Sequence, residues 1–333
     1  MSTVSHRRQR GVALLTAMII VTLVATLASA MYWRQWRSVQ IELAERGRSQ
    51  SSWILSGALD WASLILAEDS KTGQVDHLSE PWATPLEEAR LSTFLAADEA
   101  NTDDAPEAFL AGKISDAQAR YNLRNLAAAD PVTAKKNLEA LTRLCEQLNI
   151  DSSVPPRLAA AMRAALPSAP PTGEGSGAPV AVQVVSEEAP LLPPSVEYLR
   201  WLGLDAQSSA RLAPYVTLLP KPTAVNVNTA PREVLVAVLE GVDPGSADRL
   251  VQVRQRTQIK STADIGAAIG RTNFQQPDAL QIGYSSNYFE VRGRMRIEQR
   301  VLEERSLVHR ERRNITVLQR ERASFTLASQ VTP

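Results

Sequence analysis

The chain's longest uncharged apolar run lies near its start: no residue from Gly11 to Trp33 is charged, and Arg7, Arg8 and Arg10 precede the run with no acidic residue among them. As a helix it rises about 34 Å at about 1.5 Å per residue, enough to cross a hydrocarbon core of about 30 Å. The pattern predicts a transmembrane helix. After it, Arg34, Arg37, Arg46 and Arg48 are mixed with Glu42 and Glu45. The excess of basic charge on the short side places the N-terminus in the cytoplasm and the bulk of the chain outside it. Ala28-Ser29-Ala30 has the small-x-small form that signal peptidase prefers, so a secreted protein cut after Ala30 is an alternative. The run is longer than the roughly 7 to 15 residues of such a signal, which favours an anchor.

Beyond the run the apolar period stays helical before it becomes strand-like. No Pro occurs between Tyr32 and Glu68, and Ile54, Ala58, Trp61 and Ile65 recur at steps of four, three and four. This spacing predicts that the same helix continues with one buried face, with Trp53 and Trp61 as core packing. Gly47 and Gly57 each weaken it by up to about 1 kcal/mol relative to Ala, leaving room for a bend. Farther on, Asp130-Pro131 reads as N-cap and first helical residue, followed by Leu138, Leu141, Cys145 and Leu148 at helical spacing. Strand-like alternation appears in two distant places, Lys113 to Leu123 and Phe289, Val291, Met295 and Ile297, continuing through Ile315 and Val317. The segments 288–298, 300–309 and 314–321 predict an antiparallel meander. Residues from Asn125 to about Ser286 read as helix and loop. The predicted class is α+β: a long N-terminal helix plus an antiparallel sheet, interrupted by a large inserted all-α domain.

Charge and chemistry narrow the function. With 36 basic and 36 acidic residues the chain is neutral, giving no electrostatic case for nucleic acid. Cys145 is the single cysteine, so no intrachain disulfide forms, and its apolar setting marks a buried thiol. Only His6, His77 and His309 are present, and HExxH, paired CxxC, GxSxG and phosphate-loop motifs are absent. No catalytic residue and no enzyme activity is predicted. Residues 167–194, rich in Pro, Gly, Ser and Glu, read as a mobile loop. A second loop, ADEANTDDAPE at 97–107, carries acids that suit Ca²⁺ but lacks the spacing and central Gly of an EF-hand. It reads as a solvated turn; no cofactor is expected, with structural Ca²⁺ as the alternative.

Several stretches resemble one family. Arg10-Gly11-Val12-Ala13-Leu14-Leu15-Thr16 resembles the leader junction of type IV pilins and type II secretion pseudopilins, where prepilin peptidase cuts after the Gly. By that resemblance Gly11 ends the leader and Val12 is the mature N-terminus, N-methylated in that class. Most members carry Glu as the fifth mature residue. Thr16 stands there instead, which narrows the resemblance to the type II secretion system protein K family. ISDAQARYNLRNL, NVNTAPREVL, YFEVRGRMRI and LEERSLVHR resemble segments of that family in the same order.

The resemblance implies a leader at 1–11, a transmembrane half-helix at 12–33, and a pilin-like domain in two parts, 34–124 and 287–333. Between them, 125–286 would be the inserted domain, with a helix-hairpin-helix/SAM-like unit. It further implies a single-pass inner-membrane protein with a periplasmic domain, a minor pseudopilin that caps the pseudopilus tip and helps initiate its assembly for export of folded proteins. The implied partners are other minor pseudopilins, prepilin peptidase, the inner-membrane secretion platform and the exported protein, with no nucleic acid. The alternative is a membrane-anchored DNA-uptake receptor using the hairpin within residues 226–270. There, Gly241-Val242-Asp243-Pro244 puts a carboxylate where a phosphate would sit and Pro244 removes a donor, although Arg249, Arg254 and Arg256 follow.

Overall fold

The computed structural model describes residues 7–73, 75–91, 108–166, 189–276 and 282–327. The chain forms two units, Met1–Gly57 and Ala58–Pro333. Helix α1 (Arg7–Thr72) supplies the described part of the first unit and the first elements of the second. It runs through Gly47 and Gly57 without interruption.

In the first unit the apolar side chains between Val12 and Trp33 are exposed along the whole helix, with a mean hydropathy of 2.4 in the most apolar window. The serine and threonine hydroxyls in this stretch are satisfied locally. Thr22 Oγ1 donates to the Ile19 carbonyl at 2.9 Å, Thr26 Oγ1 to that of Leu23 at 2.9 Å, and Ser29 Oγ to that of Ala25 at 2.8 Å. Such back-bonding leaves these hydroxyls satisfied without a partner from the lipid. Trp33 and Trp36 meet edge to face at 5.7 Å where the apolar run ends, the aromatic composition of a membrane interface.

The second unit holds a five-stranded antiparallel sheet in the order β1-β2-β7-β8-β9. Strand β1 is Leu86–Arg90 and β2 is Ala108–Asp116; β7 is Tyr288–Ile297, β8 is Arg300–Glu311 and β9 is Asn314–Thr326. Ile114 of β2 faces Val291 of β7, and Phe289 of β7 faces Val308 of β8. These side chains pack against Leu59, Ala62 and Leu66 of α1, with the Trp82 ring edge-on to Phe289 at 5.2 Å.

The helix buries a different face from the one expected. Ile54, Ala58 and Ile65 are only half-buried, while Trp53 and Trp61 are exposed at 78% and 57%. Volume explains the choice: Trp82 and Phe289 already fill the interface with rings, so the Leu and Ala positions of α1 fit against them and a Trp does not.

Between β2 and β7 the chain builds a helical body. Its helices are α2 (Pro131–Gln147), α3 (Val154–Ala165), α4 (Ala206–Leu212), α5 (Arg232–Val238), α6 (Pro244–Arg254) and α7 (Thr262–Ile269). Asp130 caps α2 by accepting from Thr133 N at 2.7 Å, with Pro131 at the first helical position. Leu141, Leu144 and Cys145 lie in one core with Leu158, Met162 and Leu235. The region 125–286 is not purely helix and loop, however. Short parallel ladders join β3 (Tyr121–Asn122) to β4 (Val216–Thr217) and β5 (Val225–Asn226) to β6 (Ile282–Gly283). Two-residue strands are too short to show alternation, so the pattern could not reveal them. The acidic loop 97–107 and most of the loop 167–194 lie outside the described residues.

Candidate functional site

Two places concentrate polar chemistry, the N-terminal turns of α1 and the joint between sheet and helical body. At the first, Gly11 lies within α1 and Thr16 follows one turn after Val12. Thr16 Oγ1 donates to the Val12 carbonyl at 3.1 Å and to the Ala13 carbonyl at 3.0 Å. The Thr16 hydroxyl is thus satisfied within its own helix.

The joint is centred on Asp116, the last residue of β2, where the strand pattern ends and the chain turns into the helical body. Its carboxylate accepts from Gln118 N at 2.7 Å, Thr229 Oγ1 at 2.6 Å, Ser286 Oγ at 2.6 Å and Asn226 Nδ2 at 3.0 Å. Burial pushes this carboxyl up, and the hydrogen bonds from Ser286, Thr229, Gln118 and Asn226 pull it back. Asn226 Nδ2 also reaches the Asp76 carbonyl at 3.0 Å, while Asn228 ties the same segment to Ile259 through bonds of 2.9 Å in both directions. Three distant stretches therefore meet on one acid: ISD from the sheet, NVNT from the helical body and Ser286 from the approach to β7.

A second acid continues the network. Asp76 Oδ2 accepts from Ser286 N at 2.6 Å, and Oδ1 takes Nη2 of Arg310. Arg310 Nη1 reaches Asp69 Oδ2 at 2.8 Å, Nη2 donates to the Ser286 carbonyl at 2.8 Å, and the guanidinium lies 4.6 Å from the centre of the Phe289 ring. Asp69, Asp76 and Glu80 bring carboxylate oxygens within 4.8 Å of one another, a spacing that would suit a divalent ion. The cation among them is the Arg310 guanidinium. On the other side of the joint, burial raises the Glu290 carboxyl, but Arg120, Arg305 and Arg292 outweigh burial and hold it below its ordinary value. Arg305 also grips Glu197 of the helical body at 2.6 Å.

Two of the three arginines that kept a nucleic-acid reading open are committed elsewhere, while Arg256 is exposed. Arg254 Nη1 donates to the carbonyls of Val227 at 2.7 Å and Ala230 at 2.6 Å, and burial lowers this guanidinium to about 10. Arg249 Nη2 bonds Ser246 Oγ at 2.9 Å and the Ile269 carbonyl at 3.3 Å. Asp243 caps α6 through Ser246 N at 3.0 Å and Ser246 Oγ at 2.6 Å, and those bonds hold its carboxyl low. A phosphate approaching this turn meets a fixed negative charge.

Sequence reasoning singled out Gly11, Val12 and Thr16 but missed Asp76, Asp116 and Arg310. A signal for Asp116 was present: an acid at the end of an alternating strand, on the same side as Ile114, is a buried acid and needs donors.

A long N-terminal helix apolar and long enough to cross a membrane, whose last turns pack on an antiparallel sheet, and a helical body interposed between two sheet strands define an α+β protein with a candidate membrane anchor. Two family models, both described as Type II secretion system (T2SS), protein K, match residues 119–221 and 225–285. The chain is 29% identical to the type II secretion system protein K of Pseudomonas aeruginosa, covering 84% of this chain and 86% of the relative. Its identity to that of Klebsiella pneumoniae is 28%, over 98% of this chain and all of the relative (100%). Among solved structures, the fold is similar to a chain of the GspK-GspI-GspJ complex from enterotoxigenic Escherichia coli, with a TM-score of 0.62 at 20% identity, covering 84% of this chain and 98% of that one. The chain belongs to the type II secretion system protein K family and is a minor pseudopilin.

Proposed function

We propose that this minor pseudopilin caps the tip of the periplasmic pseudopilus and helps initiate its assembly, working with other minor pseudopilins and the inner-membrane platform. The observation that carries the proposal is Thr16, whose hydroxyl is spent on the carbonyls of Val12 and Ala13. A Glu at this position needs a cationic partner in the bilayer, because an unpaired charge there costs at least about 2.5 kcal/mol. In the pilin plan that partner is the N-terminal ammonium of the subunit nearer the tip. A tip subunit has no such neighbour, and threonine needs none. The Val12 ammonium remains free to receive the Glu of the subunit below.

This reading takes Gly11 as the last leader residue, cut by prepilin peptidase, and Val12 as the N-methylated mature terminus, with the anchor's start cytoplasmic and the main domain periplasmic. The length of the uncharged run from Gly11 to Trp33, beyond the roughly 7 to 15 residues of a cleaved signal, supports retention of the anchor over cleavage at Ala28-Ser29-Ala30. Exposed Trp53 and Trp61 suit a chain whose neighbours in the filament cover them. Within the helical body, the pair α5–α6 with its Gly241 turn serves as a packing module of helix-hairpin-helix type rather than a nucleic-acid reader.

The test is Thr16→Glu. The variant should be processed normally, with a mature N-terminus at Val12 by mass spectrometry of membranes, yet lose secretion. Crosslinking of isolated pseudopili should place the wild-type protein at one end only; finding it along the shaft would sink the tip assignment.

A further inference from the structure

The end of the apolar run carries positive charge that the chain around it does not neutralise. Arg34 follows Trp33 directly and Arg37 comes one turn later, both exposed, and no acidic residue precedes Glu42. Glu42 is itself paired with Arg46, one turn farther on. It also stands five residues after Arg37 and eight after Arg34, off the spacings of three and four at which helical side chains meet. Among the described residues, neither Arg34 nor Arg37 has an ion pair.

The aromatic side chains beside them fix the depth of these charges. Tyr32, Trp33 and Trp36 are exposed, and the two indoles meet edge to face at 5.7 Å. Amphipathic rings of this kind settle at headgroup level in a bilayer. At about 1.5 Å per residue, Arg34 lies about 1.5 Å beyond Trp33 along the helix axis and Arg37 about 6 Å beyond it. Both therefore stand at the depth of the lipid phosphates. With about 3.6 residues per turn, Tyr32, Trp36 and Trp33 share one arc of the helix, and Arg37 and Arg34 share the arc next to it. The two arginines, three residues apart, are neighbours on that surface.

A guanidinium presents a fixed fork of donors that matches phosphate oxygens. We propose that Arg34 and Arg37 hold the phosphates of anionic phospholipids at the membrane surface where the bulk of the chain emerges, with Tyr32, Trp33 and Trp36 keeping them at that depth. Net charge selects the lipid, because a zwitterionic headgroup offers the same phosphate but brings an ammonium of its own. Arg7, Arg8 and Arg10 take no part, since they lie at the other end of the run, about 34 Å away. This binding presupposes that the helix spans the bilayer, not that the subunit sits at the tip.

The full chain in mixed vesicles of phosphatidylcholine and phosphatidylglycerol, one lipid at a time brominated on its acyl chains, tests it by tryptophan fluorescence. Bromine quenches indoles only at short range, and Trp33→Phe with Trp36→Phe identifies the share of the signal that comes from this end of the run. Relative quenching gives the ratio of the two lipids' association constants there. Phosphatidylglycerol should be preferred about fivefold for each guanidinium, and added salt should shrink the preference. Arg34→Gln with Arg37→Gln should bring the ratio to about one, whereas glutamine at Arg7, Arg8 and Arg10 should leave it unchanged. Equal quenching by both lipids in the wild type, or a preference that survives Arg34→Gln with Arg37→Gln, would overturn the proposal while leaving the anchor intact. Absence of quenching by either lipid would overturn the membrane-spanning reading and this binding with it.

Discussion

Asp116→Ala tests whether the joint between sheet and helical body is held by its buried acid. The substitution removes the acceptor of four hydrogen bonds, from Gln118 N, Thr229 Oγ1, Ser286 Oγ and Asn226 Nδ2. Asn226 keeps the Asp76 carbonyl and Ser286 Oγ, both at 3.0 Å, so its amide is not orphaned. Thr229 can fall back only on the Asn226 carbonyl at 3.4 Å. Gln118 N and the Ser286 hydroxyl lose the acceptor each has at present. A buried donor left unsatisfied costs about 1–3 kcal/mol, and removal of a desolvated carboxylate returns part of that. The net destabilisation expected is about 2–4 kcal/mol, read as the shift of the urea midpoint with helical circular dichroism of the full chain. Thr229→Val alone should cost about 1 kcal/mol, and the double variant should cost less than the sum, because both remove the same bond. A loss below about 1 kcal/mol for Asp116→Ala, or strict additivity with Thr229→Val, would refute the central role of the acid.

Two further predictions concern the helical body. Arg254→Ala leaves the carbonyls of Val227 and Ala230 without their guanidinium donor and should destabilise the chain by about 1–3 kcal/mol in the same assay, whereas a solvated DNA-contacting arginine would cost nothing. Cys145 is 1% exposed and burial pushes its thiol up to about 12, so a maleimide reagent at neutral pH should label it only after denaturant unfolds the chain; prompt labelling of the native protein would contradict its placement in the core.

The parts legible in the sequence were those with long periodic patterns. The meander was placed to within a few residues because β7 and β8 alternate along most of their length and β9 opens with Ile315 and Val317 in the same alternation. Its turns carried no recognisable signal. Glu298 and Arg312 adopt left-handed backbone at φ 51° and 54°, where Asn or Gly would have advertised the hairpin. Strand β1, LEEAR, was invisible because it sits at the sheet edge with little β-propensity and no apolar alternation. The Arg310 network and the Asp116 joint were illegible for a different reason. Asp69 and Arg310 lie 241 positions apart, and Asp116 and Ser286 170, so only the folded chain brings them together.

The error about α1 has the most physical content. The stripe Ile54, Ala58, Trp61 and Ile65 and the stripe containing Leu59, Ala62 and Leu66 are offset by about one residue, or about 100° of helix rotation, and each satisfies the helical period. Periodicity alone cannot choose between two apolar stripes. Hydrophobicity favours hiding the tryptophans, since a fully buried large apolar side chain is worth about 1.5–3 kcal/mol. Shape decides the other way, because the sheet brings its own rings, Trp82 and Phe289, to the interface. The rule that the most apolar face turns inward assumes that the inside of one chain is the only dry place available. For a subunit of a filament that assumption fails, and in the proposed pseudopilus the tryptophans that α1 leaves in water are the ones a neighbouring subunit has reason to cover.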